Sequence, residues 1–145
     1  MSSSNVAFVN NEQVLNDLPT DGISTVAYIP KYAETSIYDE HTLLATSWDS
    51  TLRLYNTATN ELIYKYDYTE EGPVLNACFG PNNMVYTALL NGDVYEMNTI
   101  ASKEEKRKLG HHEAGAKCIQ YDSVHNMVIS GGWDCMLRVW DPRQS

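Results

Sequence analysis

The chain has 145 residues, of which 43% are hydrophobic, so it is long enough to form one ordinary domain with a packed core. It carries 10 Lys and Arg residues against 19 Asp and Glu residues, and the resulting net charge of −9 disfavours nucleic acid as a direct partner. Its three cysteines show no pairing pattern, and it has neither a basic start nor a long apolar run, so we expect no disulfide framework, secretory signal or membrane span.

The first 20 residues are predicted to form a tail outside the repeating part of the chain. Residues 1–5 are small and polar, as is typical of a disordered terminus. Residues 6–9 read Val-Ala-Phe-Val and predict a short strand that has no partner nearby in the sequence. Residues 10–21 are polar and lead into the first turn.

From residue 21 onward, short apolar segments alternate with polar turns, which predicts strands in three successive groups. The predicted strands are residues 23–29, 43–47, 51–56 and 62–68; 74–79, 84–89 and 93–98; and 116–121, 127–132 and 136–141. Long helical patterns are lacking and tyrosine is frequent, so we expect an all-β fold with negligible helix.

A charged run takes the place of the outer strand in the second group. Residues 102–108 read Ser-Lys-Glu-Glu-Lys-Arg-Lys. We interpret this run as a solvated edge or loop, because charged residues are typical of exposed sheet edges. A basic docking site is the less favoured alternative, since two glutamates interrupt the basic residues.

A tight turn recurs along the chain at nearly constant spacing. Trp48, Leu90 and Trp133 hold equivalent positions in three turns, 42 and 43 residues apart. This period and the closing Trp140-Asp141 pair resemble WD40 repeats, which recur about every 40–45 residues. The resemblance implies a WD40 β-propeller with three blades of an expected seven, at about residues 21–69, 70–109 and 110–145, the third being incomplete. In such propellers, a strand like residues 6–9 closes the ring.

The WD40 resemblance also implies a buried hydrogen-bonding network in the third repeat. Its members here are His111, Ser130, Trp140 and the closing Asp141, while the acidic member that contacts the histidine has no clear match. Repeats one and two carry Tyr-Asn and Met-Asn in place of Trp-Asp, so neither is expected to build the full network.

Two stretches resemble a narrower group within the WD40 family. Residues 21–26 followed by residues 47–55, and residues 132–134 leading into residues 140–143, are similar to the mitotic spindle checkpoint propellers named "budding uninhibited by benzimidazole". These propellers are the partners of the Bub checkpoint kinases. The nearest related group is the messenger-RNA-export propeller of the nuclear pore.

That resemblance implies a non-enzymatic scaffold of the nucleus and kinetochore, also present in the cytoplasm, that needs no cofactor. Its implied partners are GLEBS-motif segments of checkpoint kinases and phosphorylated Met-Glu-Leu-Thr repeats of a kinetochore scaffold, with Trp48 and Trp133 contacting the GLEBS segment. A seven-bladed ring needs a longer chain, so we expect this sequence to be the N-terminal part of such a protein. The basic residues for the acidic and phosphorylated partners are then expected in later blades.

Other functions find little support in the sequence. The His111-His112-Glu113 run is not expected to bind metal, because neighbouring strand residues project to opposite faces and no further ligand lies at a suitable spacing. Asp49 and Asp134 fit turn positions better than a catalytic carboxylate pair. The alternatives that stay open are an RNA-export adaptor and, remotely, a hydrolase on a propeller scaffold.

Overall fold

The structure, a computed structural model, describes residues 12–33, 37–101 and 105–144. The regular secondary structure of these residues is β-strand, apart from one short 3-10 helix, Lys31–Ala33, in the long connection of the first repeat. The strands are β1 Ile23–Tyr28, β2 Thr42–Ser47, β3 Thr51–Asn56, β4 Glu61–Asp67, β5 Val74–Phe79, β6 Met84–Leu89, β7 Asp93–Asn98, β8 Glu105–His111, β9 Ala116–Asp122, β10 Met127–Gly132 and β11 Leu137–Trp140.

The strands form three antiparallel sheets, each a simple meander. The first two sheets have four strands, in the orders β1-β2-β3-β4 and β5-β6-β7-β8, and the third has the order β11-β10-β9 within the described residues. We call these sheets blades one, two and three. The predicted strands are therefore confirmed to within one or two residues. The strand predicted at residues 6–9 lies outside the described residues.

Hydrophobic side chains fill the space between neighbouring blades. Leu52 and Leu54 of β3 are fully buried and belong to one apolar cluster with Tyr95 and Met97 of β7, so this cluster spans blades one and two. A second cluster, which includes Val94 of blade two, does the same between blades two and three. Each buried leucine contributes about 1.5–3 kcal/mol relative to an exposed one, so blade packing is a main source of stability.

The outer strand of blade two begins in the charged run that the sequence predicted as a solvated edge or loop, with residues 105–108 in the strand and residues 102–104 outside the described residues. It is an edge strand, β8, and its three basic side chains are paired within the protein. Lys106 pairs with Glu71, and Arg107 and Lys108 pair with Glu96 and Asp93 at 3.0 and 2.8 Å. The basic charge is thus largely neutralised locally, which argues against the alternative of a basic docking site.

The three blades have turns of the same geometry at one end. Between the second and third strands of each blade, the turn's third residue has a positive φ, at Ser50 (73°), Gly92 (97°) and Cys135 (66°). The first residue of each turn donates its backbone N–H to the carbonyl oxygen of the residue just before the first strand of its blade: Trp48 to Gly22, Leu90 to Pro73 and Trp133 to Gly115, at 2.9, 2.9 and 2.8 Å. We call the surface formed by these three turns the turn edge.

We expect Gly92→Ala to destabilise the protein more than Gly72→Ala. Both glycines have a strongly positive φ, but a Cβ at Gly92 would lie 2.2 Å from the backbone oxygen of His112, whereas nothing lies within 4 Å at Gly72. The backbone strain alone costs about 1–2 kcal/mol at either site. The clash at Gly92 adds at least about 1 kcal/mol.

Pulse proteolysis in urea, at protein concentrations low enough to suppress association, measures the free energy of unfolding of both variants. Equal losses at the two glycines would contradict the close approach of blade two's turn to the His112 backbone.

Candidate functional site

Each turn of the turn edge is stabilised by one polar side chain. Asp49, Asn91 and Asp134 each accept, through Oδ1, the backbone N–H two residues further on, at 2.9, 2.9 and 3.1 Å. This local side-chain bond is typical of Asx turns. It fixes the turn, so the preceding residue, Trp48 in blade one and Trp133 in blade three, is held at the surface.

Trp48 and Trp133 are exposed at equivalent places on the turn edge, with 43% and 54% of their surface accessible. A glycine lies beneath each ring. A Cβ at Gly115 would come within 2.6 Å of the Trp133 ring, and one at Gly22 would lie 3.7 Å from the Trp48 ring. Each indole is thus supported from one side and open on another, which is how tryptophan anchors protein interfaces. Leu90, the equivalent residue of blade two, is smaller and half-buried.

A buried hydrogen-bonding network lies beneath Trp133. Trp140 donates its indole N–H to Ser130 Oγ at 2.8 Å, and His112 Nε2 lies 2.8 Å from the same oxygen. His112 Nδ1 donates to the Asp134 carboxylate at 3.0 Å. Because that carboxylate holds the Nδ1 proton, Nε2 is left to accept the Ser130 hydroxyl proton. His112 and Ser130 are buried, so the network connects the end of β8 to strands β10 and β11.

The prediction that His111 belongs to this network was wrong. His111 is exposed and contacts Glu113 at 3.2 Å, whereas its neighbour His112 is the buried member. The pairing of β7 with β8 shifts register between Val94 and Tyr95. A register shift of one residue exchanges the two faces of a strand, so the sequence pattern alone could not tell which histidine turns inward.

Asp134 is the acidic member that the sequence did not place. It also accepts the backbone N–H of Glu113 at 3.1 Å. Burial would raise the pKa of the Asp134 carboxyl, but hydrogen bonds from His112 and from the Glu113 and Met136 backbones outweigh it, so the pKa lies below its usual value. The signal was available in the repeat, since Asp49 occupies the same turn position in blade one.

Asp141, the closing residue of the repeat, lies outside this network. Its carboxylate accepts two bonds from the Arg143 guanidinium, at 2.8 and 2.9 Å. The side-chain bond from Arg143, helped by that residue's backbone N–H, lowers the pKa of Asp141 to about 2. It is part of a local turn after β11.

The order Ser130–His112–Asp134 has the connectivity of a hydrolytic triad, but its serine is not available to a substrate. Ser130 is 1% exposed, and its oxygen already accepts the Trp140 indole N–H. Asp49 and Asp134, the carboxylates considered for catalysis, accept backbone N–H groups in separate blades.

Across residues 12–33, 37–101 and 105–144, no group of three or more His, Cys, Asp or Glu residues is placed to hold a metal. No helix among these residues is long and apolar enough to cross a membrane.

We expect His112→Ala to cost about 3 kcal/mol of stability, because it leaves the buried Ser130 hydroxyl proton without an acceptor, removes one donor from the Asp134 carboxylate and opens a cavity. His111→Ala is the matched control and should change stability by less than about 0.5 kcal/mol. Pulse proteolysis of the two variants tests this. A larger effect at His111 would restore the assignment made from the sequence.

Residues 103–141, which contain the outer strand of blade two and the three strands of blade three, match the family model described as "WD domain, G-beta repeat". The same architecture is found in a chain of "Crystal Structure of Mitotic Checkpoint Complex", with a TM-score of 0.70 over 84% of this chain and 35% of that one, at 14% identity. The chain has the WD40 β-propeller fold. Its sheets are consecutive propeller blades, and its all-β fold and three-repeat layout agree with the prediction.

Several proteins to which the chain is similar are named as checkpoint proteins. "Mitotic checkpoint protein bub3" of Dictyostelium discoideum is 37% identical over 125 residues, which are 86% of this chain and 34% of that protein. "Spindle assembly checkpoint protein bub3" of Schizosaccharomyces pombe is 35% identical over 85% of this chain and 35% of its own length. The "Poly(A)+ RNA export protein" of the same yeast is 29% identical over 88% of this chain and 35% of its length.

The resemblance to checkpoint WD40 proteins, with an RNA-export relative beside them, is therefore confirmed. The chain spans about a third of the length of these relatives.

Proposed function

We propose that this protein is a non-enzymatic WD40 scaffold of the spindle assembly checkpoint, and that its turn edge binds a GLEBS-type segment of a checkpoint kinase. The observation that carries the proposal is the pair of exposed indoles, Trp48 and Trp133, held at equivalent places on one edge. Large aromatic side chains fixed by a rigid scaffold bind at low entropic cost, because they need little ordering.

The checkpoint assignment draws on similarity to proteins whose names state that role. Two checkpoint proteins are 37% and 35% identical to the chain, compared with 29% for the RNA-export protein. By the same argument, the scaffold would act in the nucleus and at kinetochores. Binding of phosphorylated kinetochore repeats is part of the proposal for the full-length protein, although we assign no described residue to it.

An RNA-export adaptor is the second candidate, because the RNA-export relative aligns over 88% of the chain. The two candidates share a fold and a binding edge, so the discriminating property is the choice of partner. In the first, the partner segment comes from a checkpoint kinase, and in the second from a nucleoporin.

Titration of the full-length protein with both segments from the same organism separates the candidates. The checkpoint role predicts that the kinase segment binds at least about tenfold more tightly, or by about 1.4 kcal/mol. Tighter binding of the nucleoporin segment would favour the RNA-export role. Failure of both segments to bind would remove the proposal for this edge.

A further inference from the structure

Each tryptophan of the chain packs against a glycine, but the closeness of the fit differs. The pairs are Trp48 with Gly22, Trp133 with Gly115 and Trp140 with Gly110. A Cβ atom added at Gly115 or Gly110 would lie 2.6 or 2.3 Å from the ring, whereas one added at Gly22 would lie at 3.7 Å. Carbon atoms in contact are normally about 3.5–4.0 Å apart. The positions of the Trp133 and Trp140 rings therefore depend on the glycine, and the position of the Trp48 ring does not.

The backbone around Gly115 is held at both ends, so it does not retreat from a larger side chain. Residues 112–115 form the linker between β8 and β9. At its start, His112 donates its backbone N–H to the Gly92 oxygen at 2.8 Å, and at its end the Gly115 oxygen accepts the Trp133 backbone N–H at 2.8 Å. The linker is thus fixed between the turns of blades two and three.

The ring of Trp133 is the part that yields when a side chain is added at Gly115. Trp133 is an exposed side chain at the turn edge. Its ring would have to retreat by about 1 Å to reach an ordinary contact distance. Trp140 differs, because its indole N–H is bonded to Ser130 Oγ at 2.8 Å and its ring packs edge-on against His112. A side chain at Gly110 therefore strains the fold, whereas one at Gly115 moves a surface ring.

We infer that Gly115 is a positioning residue of the binding site, because its lack of a side chain lets the Trp133 ring lie where the partner segment contacts it. The inference rests on the proposed function, since it concerns the same indole. Groups that bind a partner have to be held within about 0.5 Å of their productive positions. A displacement of about 1 Å exceeds this tolerance, so a methyl group at Gly115 weakens binding without removing the anchor.

The test is Gly115→Ala in the full-length protein, titrated with a synthetic GLEBS segment of the organism's own checkpoint kinase. We expect binding to be at least about fivefold weaker, which is less than the loss expected for removing an anchoring indole. The thermal midpoint without the segment should fall by less than about 2 °C, because an exposed ring moves at little cost. Gly110→Ala is the matched variant for stability and should lower the midpoint by several degrees, because Trp140 is bonded in place.

A double-mutant cycle shows whether Gly115 acts through the indole. In the Trp133→Ala background, Gly115→Ala should change binding by less than about twofold, because no ring is left to displace. Fluorine NMR of the free, fluorotryptophan-labelled protein gives a second readout. Gly115→Ala should shift the Trp133 signal, whereas Gly22→Ala should leave the Trp48 signal in place.

Three results would overturn the inference. If the wild type binds the segment and Gly115→Ala binds it equally well, the proposed function stands but Gly115 does not position the site. A loss that persists in the Trp133→Ala background would show that Gly115 does not act through the ring. A midpoint as low as that of Gly110→Ala would show that Gly115 serves folding. A wild type that does not bind the segment would remove the proposed function, and this inference with it.

Discussion

Trp133→Ala and Trp48→Ala in the full-length protein should each weaken binding of the checkpoint-kinase segment by at least about 2 kcal/mol, or roughly 30-fold. The reason is that each indole is exposed, supported by a glycine and already fixed by its turn, so its contact area is available without reordering. Leu90→Ala is the matched control at the equivalent position of blade two and should have a much smaller effect.

Isothermal titration calorimetry of the three variants measures this series. Neither tryptophan belongs to the buried network, so the variants should remain folded, and circular dichroism checks this. Small and equal losses at all three positions would contradict a binding mechanism based on the exposed indoles.

Residues 1–145 expressed by themselves should not behave as a well-defined monomer. The outward side of blade three is apolar, with Leu137 80% exposed and Val139 also exposed, and Val26 and Tyr28 lie exposed on blade one. Contiguous exposed apolar surface promotes association, and β11 forms the edge of its sheet in the described residues. The net charge of −9 opposes aggregation but leaves these surfaces uncovered.

Light scattering at increasing concentration tests this expectation, and we predict oligomers, aggregates or chaperone-bound material. The double variant Leu137→Lys/Val139→Lys should shift the material towards smaller species, because it places charge on the exposed side without altering the inter-blade cores. A sharp monomer peak with a cooperative thermal transition in the unmodified chain would show that three blades suffice.

The fold was predictable because it repeats. The apolar alternation and the 42- and 43-residue spacing between Trp48, Leu90 and Trp133 located the strands to within one or two residues. Those signals are local, and strand pairing follows directly from them. The exposure of Trp48 and Trp133 followed in turn from their place in tight turns.

The interior of the site was less predictable, because it depends on register and on contacts between distant segments. His112, which follows β8, is buried and His111 is exposed, and the irregular pairing of β8 means that simple alternation along the strand does not predict this. The bond from Arg53 to the Asp17 carbonyl joins residues 36 apart, and no local pattern marks it. The pairing of Lys106 with Glu71 likewise joins residues far apart in the sequence, so the sequence left open whether the charged run was an edge or a loop, and its described residues form part of an edge strand.

Fluorine NMR of the full-length protein labelled with fluorotryptophan tests the central claim most directly. The signals of Trp48, Trp133 and Trp140 are assigned with single Trp→Phe variants and followed during titration with the checkpoint-kinase segment. Binding at the turn edge predicts that the Trp48 and Trp133 signals shift and lose solvent exposure at saturation, while that of Trp140, bonded to Ser130 in the interior, changes little. Saturating binding that leaves both the Trp48 and Trp133 signals unchanged would show that the segment binds elsewhere and would contradict the account.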